Sequence, residues 1–418
     1  MWKSKKLEIT VQKFGGTSVG NSYAIQNLYN RVIDCNSDVK IVVSSAMSGV
    51  TDLLIKAAQS AAVNPDRSFE ILEDIQRIHI NAIIELDLNS DEIIEEFNNK
   101  ISELGNILTG INYISELTLK ILDKVQSFGE LLSTFIMYNY FLKKSQKCVL
   151  LDSRDFIKTD SNFGEAKLDF ESTRSQFSNF DYQPGFIYIF QGFIASDSIG
   201  NTTTLGRGGS DYSASIIGAA LKQNGINVRQ IEIWTDVDGI MTADPRIDTN
   251  AETVKEISYN DVLNLSFFGA KVVHPNTVKP AVELDIPVLV RNTFNPDNEG
   301  TSILQNVSNK KTVKVILKET KLIQIKDYNQ KKLVEVTNRI LHLLIASGST
   351  IYHQDFAAYQ SNIIYKESKI NLDDYLSEIQ YQISEINVSA FIGDKISAFS
   401  NSKKYIKGIN DEIFLVID

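Results

Sequence analysis

The stretch Leu7-Glu8-Ile9-Thr10-Val11-Gln12-Lys13-Phe14-Gly15-Gly16-Thr17-Ser18 decides the fold. Leu7, Ile9 and Val11 alternate with polar residues and run into Gly15-Gly16, the pattern of a strand entering a glycine turn. Thr17 or Ser18 is placed to cap a following helix through Ala24, Leu28 and Val32. Val39 to Val43 is a short apolar run suited to a buried parallel strand. It ends in the small-residue loop Ser44-Ser45-Ala46-Met47-Ser48-Gly49, after which Thr51 or Asp52 opens a helix through Leu54 and Ala58.

Outward from this start the alternation continues. Residues from about Phe69 to Lys143 carry apolar side chains at helical spacing, as in Ile71, Ile75 and Ile78. Strand patterns return at Lys147 to Leu151, Gly185 to Phe190, Gln230 to Trp234 and Val288 to Arg291, with a helix at Asp211 to Lys222. Strands alternating with helices predict an α/β fold with a mainly parallel sheet.

The polar segment Gln305 to Lys311 lacks periodicity and reads as a boundary, dividing residues 7–306 from residues 312–418. Beyond it the pattern predicts strands at Val313 to Ile316 and Leu322 to Ile325, then a helix at Lys332 to Ala346. Strands at Ser349 to Tyr365, a helix at Leu372 to Ser384 and a strand at Val388 to Ile392 follow. A polar tail at Ser400 to Lys404 and a last strand at Ile413 to Ile417 complete a small α+β module.

The chain has 418 residues, 43% of them hydrophobic and 22% charged, enough for two or three domains. Its two cysteines, Cys35 and Cys148, supply no disulfide framework or zinc ligand set, which fits a reducing compartment. The net charge of -10 disfavours nucleic acid as a partner, although a local basic site can outvote the global charge. The lysines near the N-terminus precede no continuous apolar region, and no apolar run approaches the roughly 18 residues of a membrane span. A cytoplasmic protein is expected.

Several segments carry chemistry. Lys13 to Gly16 sits at a strand-to-helix turn, where parallel sheets place ligands and where glycine amides approach phosphates closely. A tight turn with a solvated lysine accounts for that segment equally well. Gly206-Arg207-Gly208-Gly209-Ser210-Asp211 surrounds one guanidinium with three glycines at a helix start, a cradle for carboxylate or phosphate. Ser210 or Asp211 would also serve as an N-cap there. Thr235 and Asp236, with Arg246 after Asp244-Pro245, could meet a nucleotide, but on this segment alone an Asp-Gly turn followed by a Pro-fixed loop is the stronger reading. Lys271 is a second candidate phosphate lysine, and His274 before Pro275 reads as structural. The sequence has no Walker-type loop, protein-kinase set, nucleophile-elbow serine or zinc-protease helix, and its four histidines suggest no metal site.

In order, these segments resemble the aspartokinase family of the amino acid kinase superfamily. The resemblance rests on Lys13 to Val19, Val42 to Ala46 with Thr51, Ser127-Phe128-Gly129-Glu130, Gln191-Gly192-Phe193, Thr202 to Asp211, Trp234 to Arg246 and Phe268 to Pro275. It implies a three-layer αβα sandwich that transfers the γ-phosphoryl group of ATP to L-aspartate, with Mg²⁺ bridging the phosphates. By similarity, Lys13, Phe14, Gly15 and Gly16 hold phosphates, and Lys271 and Val272 contact the nucleotide. Thr235 and Asp236 meet the nucleoside end and Arg246 the phosphates. Thr51, Glu130, Arg207, Gly208, Gly209 and Ser210 bind aspartate, and Lys13, Lys271 and Asp211 form the catalytic set. Met241 departs from the Tyr that many relatives carry.

Residues 312–418 resemble the ACT-type regulatory region of that family, shortened in its second unit, and imply a homodimer formed through it. Where lysine-sensitive relatives have Ile-Ser-Val-Asp, this chain has Ser349-Thr350-Ile351-Tyr352. No extension suggests a fused homoserine dehydrogenase. Two alternatives stay open: an amino acid kinase with another acidic substrate, and an inactive ACT-type sensor.

Overall fold

The computed structural model describes residues 7–178, 180–270, 273–308, 311–366, 372–376, 379–393, 405–407 and 413–417. The polar tail expected at 400–404 lies outside them. The chain forms two compact units that interleave in sequence. The first takes Met1–Ile240, Thr253–Tyr259 and Val272–Val307, and the second takes Met241–Glu252, Asn260–Lys271 and Ser308–Asp418.

Strands through residue 304 are β1 (Glu8–Phe14), β2 (Val39–Ser44), β3 (Cys148–Leu151), β4 (Ile187–Gln191), β5 (Ile194–Ser196), β6 (Thr202–Thr204), β7 (Asn227–Thr235), β8 (Glu256–Ser258), β9 (Val288–Asn292) and β10 (Thr301–Leu304). The helices are α1 (Ser22–Asp34), α2 (Val50–Ala61), α3 (Pro65–Glu85), α4 (Asp91–Ile114), α5 (Leu119–Lys143), α6 (Ser153–Phe156), α7 (Phe170–Ser178), α8 (Gly209–Gln223), α9 (Tyr259–Phe267) and α10 (Pro275–Val282). Eight strands form one sheet in the order β3-β4-β2-β1-β7-β9-β10-β8. All neighbours are parallel except β10, which runs antiparallel to β9. β5 and β6 make a separate antiparallel hairpin.

Strand alternation explains why helices cover both faces. Phe14, Val42, Ile187, Ile189 and Trp234 share a core with α1 to α5. The intervening residues face the other way, and there Gly218 of α8 sits so close that a Cβ on it would meet Ile231 Cδ1 at 2.7 Å. The chain leaves β1 for β2 on one side and later returns to β7 on the other. Such a reversal opens a crevice at the carboxyl ends of the strands.

Two helix starts differ from expectation. Residues Gly16–Val19 form a 3₁₀ turn, and α1 is capped by Asn21, whose side chain accepts from the Ala24 N–H. Ser18 is instead buried, with its hydroxyl 2.7 Å from that of Thr293. Gly49, at φ +79°, precedes α2, so Thr51 and Asp52 fall inside the first turn. The close approach of α8 to the sheet depends on Gly192, because a Cβ there would stand 2.5 Å from Ser210 Cβ.

The second unit contains β11 (Val313–Leu317), β12 (Thr320–Lys326), α11 (Gln330–Ala346), β13 (Ile351–Ala357), β14 (Gln360–Lys366), α12 (Asp373–Leu376), β15 (Gln380–Glu385), β16 (Val388–Ile392), β17 (Tyr405–Lys407) and β18 (Ile413–Ile417). The run from β12 to β15 is a split βαβ arrangement with strand order β13-β14-β12-β15. Leu333, Val336, Ile340 and Leu344 pack α11 onto Ile323, Ile325 and Ile363. β11, β16, β18 and β17 form a second antiparallel sheet. The helix expected at Leu372 to Ser384 is a correction: one described helical turn, then β15. Tyr381 and Ile383 alternate with polar residues, pack on the core and pair with β12, which outweighs local helix propensity.

Among the described residues, no helix is long and apolar enough to cross a membrane. Gly192→Ala should lower the apparent Tm by on the order of 5 °C, because the added methyl meets Ser210 Cβ at 2.5 Å and Cα at 2.9 Å, atoms that no side-chain rotation moves away. Thermal melting checks this; an unchanged Tm would mean that α8 does not need the close approach.

Candidate active site

The carboxyl ends of β1, β2 and β4 and the start of α8 enclose a cleft of about 280 Å³, lined by Lys13, Ser45, Ala46, Thr51, Glu130, Phe193, Gly206, Gly208, Gly209, Ser210 and Asp211. The fold thus gathers Lys13, Thr51, Glu130, Gly208, Gly209, Ser210 and Asp211 from distant parts of the sequence.

Lys13 is the penultimate residue of β1 and points to the α8 face of the sheet. Its Nζ lies 2.7 Å from Asp211 Oδ1, in a pair whose side chains are 11% and 15% exposed. Asp211 lies in the first turn of α8, and the cap is Gly208 at φ +74°, not Ser210 or Asp211. The glycine cap leaves the Ser210 and Asp211 side chains for the cleft. The start of this helix also turns its unpaired N–H groups and positive dipole end toward the cleft, which suits an anion.

Glu130 enters from α5. Gly129 lets that helix approach the β2–α2 loop, since a Cβ there would meet Ala46 Cβ at 2.7 Å. Glu130 Oε1 then accepts the Ala46 N–H at 3.1 Å. Its Oε2 is buried without a hydrogen-bond partner, although the side chain borders the cleft. Burial pushes the carboxyl up from 4.5 to about 8, against the hydrogen bond from Ala46. A buried acceptor without a partner is costly, and a cationic donor in the cleft would satisfy it.

The turn after β1 lies beside the end of β7. The Gly15 N–H donates to the Trp234 carbonyl at 3.1 Å, and the Phe14 and Trp234 rings stack at 6.0 Å. The Gly15 amide is therefore committed to the fold, and so is that of Ser18, which donates to the Gly15 carbonyl at 2.9 Å. Thr235 and Asp236 follow at the end of β7, with the Thr235 hydroxyl 3.1 Å from Asp236 Oδ1. Asn292 donates to Asp238 at 2.7 Å and holds that loop against the end of β9.

Arg207 is exposed and does not line the cleft. Arg246, in the second unit, is exposed and forks onto Asp244, with Nε to Oδ1 at 3.0 Å and Nη2 to Oδ2 at 2.7 Å. Lys271 and Val272 lie outside the described residues. Gly206 lines the cleft beside Gly208 and Gly209, and Ser45, Ala46 and Phe193 line it without having been assigned a role from the sequence. Their signal was positional: each lies in a loop after a strand, within segments already singled out.

A sequence profile of the amino acid kinase family matches residues 8–292. Lysine-sensitive aspartokinase 3 of Escherichia coli (strain K12) is 35% identical over 310 residues, covering 72% of this chain and 65% of that protein. The solved structure of E. coli aspartokinase III in complex with lysine and aspartate (T-state) matches with a TM-score of 0.82 at 26% identity. It covers 98% of this chain and 96% of that one. The structure of E. coli aspartokinase III with aspartate and ADP (R-state) matches with a TM-score of 0.72 at 26% identity and the same coverage. The chain spans 32%, 65% and 49% of the lengths of three curated relatives it matches. The chain belongs to the amino acid kinase family and, within it, to the aspartokinases.

Proposed function

We propose that this protein is an aspartate kinase, converting ATP and L-aspartate to ADP and 4-phospho-L-aspartate. The observation that carries the reading is Glu130: a buried carboxylate oxygen without a partner borders a cleft that also holds Lys13 and the start of α8. An α-amino acid fits that combination, with its ammonium on Glu130. The E. coli relative, solved with aspartate and ADP, supports the same choice.

In this reading Thr51, Gly208, Gly209 and Ser210 surround the substrate. Arg207 forks onto its α-carboxylate from the rim. The nucleophile is the side-chain carboxylate, ionised at neutral pH, so no general base is required. The barrier is repulsion between that anion and the triphosphate. Lys13 and Lys271 counter it with charge, and Asp211 keeps the Lys13 ammonium in place. Phe14 to Gly16, Thr235, Asp236 and Val272 border the nucleotide, and Arg246 would exchange Asp244 for a phosphate. Among the described residues no group of three His, Cys, Asp or Glu is placed to hold a metal. Mg²⁺ would arrive with the nucleotide and supply charge neutralisation there.

The finer reading has residues 7–306 catalytic and residues 312–418 an ACT-like regulatory and dimerising region. The split βαβ arrangement supports the second part. A cytoplasmic location and a place at the head of lysine, threonine and methionine (diaminopimelate) biosynthesis complete it.

The test is ATP turnover with L-aspartate, trapping the acyl phosphate with hydroxylamine. Hydroxamate with aspartate but not glutamate is expected, and none from folded protein would overturn the proposal. Lys13→Ala should cut kcat by at least about 100-fold while the protein stays folded; a near-normal kcat removes Lys13 from the chemistry. Arg207→Ala should raise KM for aspartate far more than KM for ATP, with kcat little changed. Equal effects on both would end the fork assignment.

Glu130 also predicts a pH effect. Between 4.5 and about 8 the folded protein holds a proton that the unfolded chain has released, so stability falls as pH rises through that window. Glu130→Gln removes this dependence. Without substrate, the variant should melt a few degrees above wild type at about pH 9 and close to it at about pH 4.5. The same difference at both pH values would show that Glu130 does not titrate there.

A further inference from the structure

Asp123 lies seven residues before Glu130 on α5, two turns away on the same face. It is fully buried. Its carboxylate accepts three hydrogen bonds. Oδ1 takes the Thr204 hydroxyl at 2.8 Å, and Oδ2 takes the Thr204 N–H at 3.0 Å and the Gly164 N–H at 2.9 Å.

These donors come from two loops that build the rim of the cleft. Thr204 ends the β5–β6 hairpin, and the chain continues directly through Leu205 and Gly206 to Arg207. Gly164 belongs to a loop that packs on Gly206, where a Cβ would meet Glu165 Cγ at 3.3 Å. The Ala166 N–H also donates to the Thr204 carbonyl at 3.0 Å. Burial holds the Asp123 carboxyl above its usual range in spite of the three donors. The carboxylate supplies the acceptor for two backbone N–H groups of different segments and so fixes both to α5.

We infer that Asp123 is a positioning residue for substrate binding, tying the Arg207 loop and the Gly164 loop to the helix that carries Glu130. One rigid helix thereby sets the distance between the group that receives the substrate ammonium and the loop that receives its carboxylate. The inference rests on the aspartate kinase reading.

The test uses the full chain and steady-state kinetics with both substrates varied. Asp123→Ala leaves the Gly164 and Thr204 N–H groups unpaired. It should raise KM for aspartate roughly 5- to 100-fold, with KM for ATP within about twofold. Asp123→Asn restores an acceptor for both N–H groups and turns its amide to the Thr204 hydroxyl, so it should recover most of that loss. In an Arg207→Ala background the effect of Asp123→Ala should largely vanish, because the loop no longer carries the fork. If Asp123→Ala does not fold, Thr204→Val carries the test, with a smaller rise of roughly 3- to 10-fold in the same constant. KM values that rise equally for both substrates, an Asn variant no better than Ala, additive effects with Arg207→Ala, or an unchanged KM in Thr204→Val would each overturn the inference. Wild-type protein that forms no hydroxamate from aspartate would instead overturn the underlying function.

Discussion

Lys13 and Asp211 meet at 2.7 Å where the central strand of a parallel sheet ends and a helix begins. The pair is largely shielded from water, so each charge depends on the other: removing one leaves the other buried and uncompensated. The surrounding structure is arranged to let the contact form. Strand alternation turns Lys13 to the α8 face. Gly208 caps the helix without a side chain, and Gly192 lets its first turn settle onto the sheet. The site thus inherits its shape from the packing of α8 against β1.

The second constraint is α5. It brings two buried carboxylates to one region and treats them differently. Asp123 has all its hydrogen bonds supplied by backbone and hydroxyl donors of neighbouring loops. Glu130 has one oxygen bonded to the Ala46 amide and one without a partner. The first arrangement holds loops in place. The second is incomplete within the folded chain and becomes complete only with a donor from outside, the usual difference between a structural polar group and a binding one. Burial sharpens the contrast, because the unpartnered carboxyl is pushed up to about 8 and gains charge most readily when a cation arrives.

The second unit follows a different logic. There α11 presents Leu333, Val336, Ile340 and Leu344 to one of two antiparallel sheets at helical spacing. β15 shows what an open sheet edge can do to an ambiguous segment. Gln380 to Glu385 pairs along β12, because backbone pairing and the partial burial of Tyr381 and Ile383 outweigh a weak helical preference.

Sequence alone determined the alternation of strands and helices in the first unit, since hydrophobic period and glycine turns are local properties. It also marked, by the order of its motifs, the family and most residues that the fold brings to the cleft. Strands of three or four residues, such as β5, β6 and β8, are too short to show a period. Tertiary structure alone decided which residue caps a helix. Ser18 is a good capping residue by type, but its hydroxyl is taken by Thr293, 275 positions away, and Asn21 caps instead. It also decided that Ser45, Ala46 and Phe193 line the cleft while Arg207 stays at its rim. The ionisation of Glu130 belongs to the same class, because a carboxyl group's charge depends on the water and partners that distant segments remove or provide.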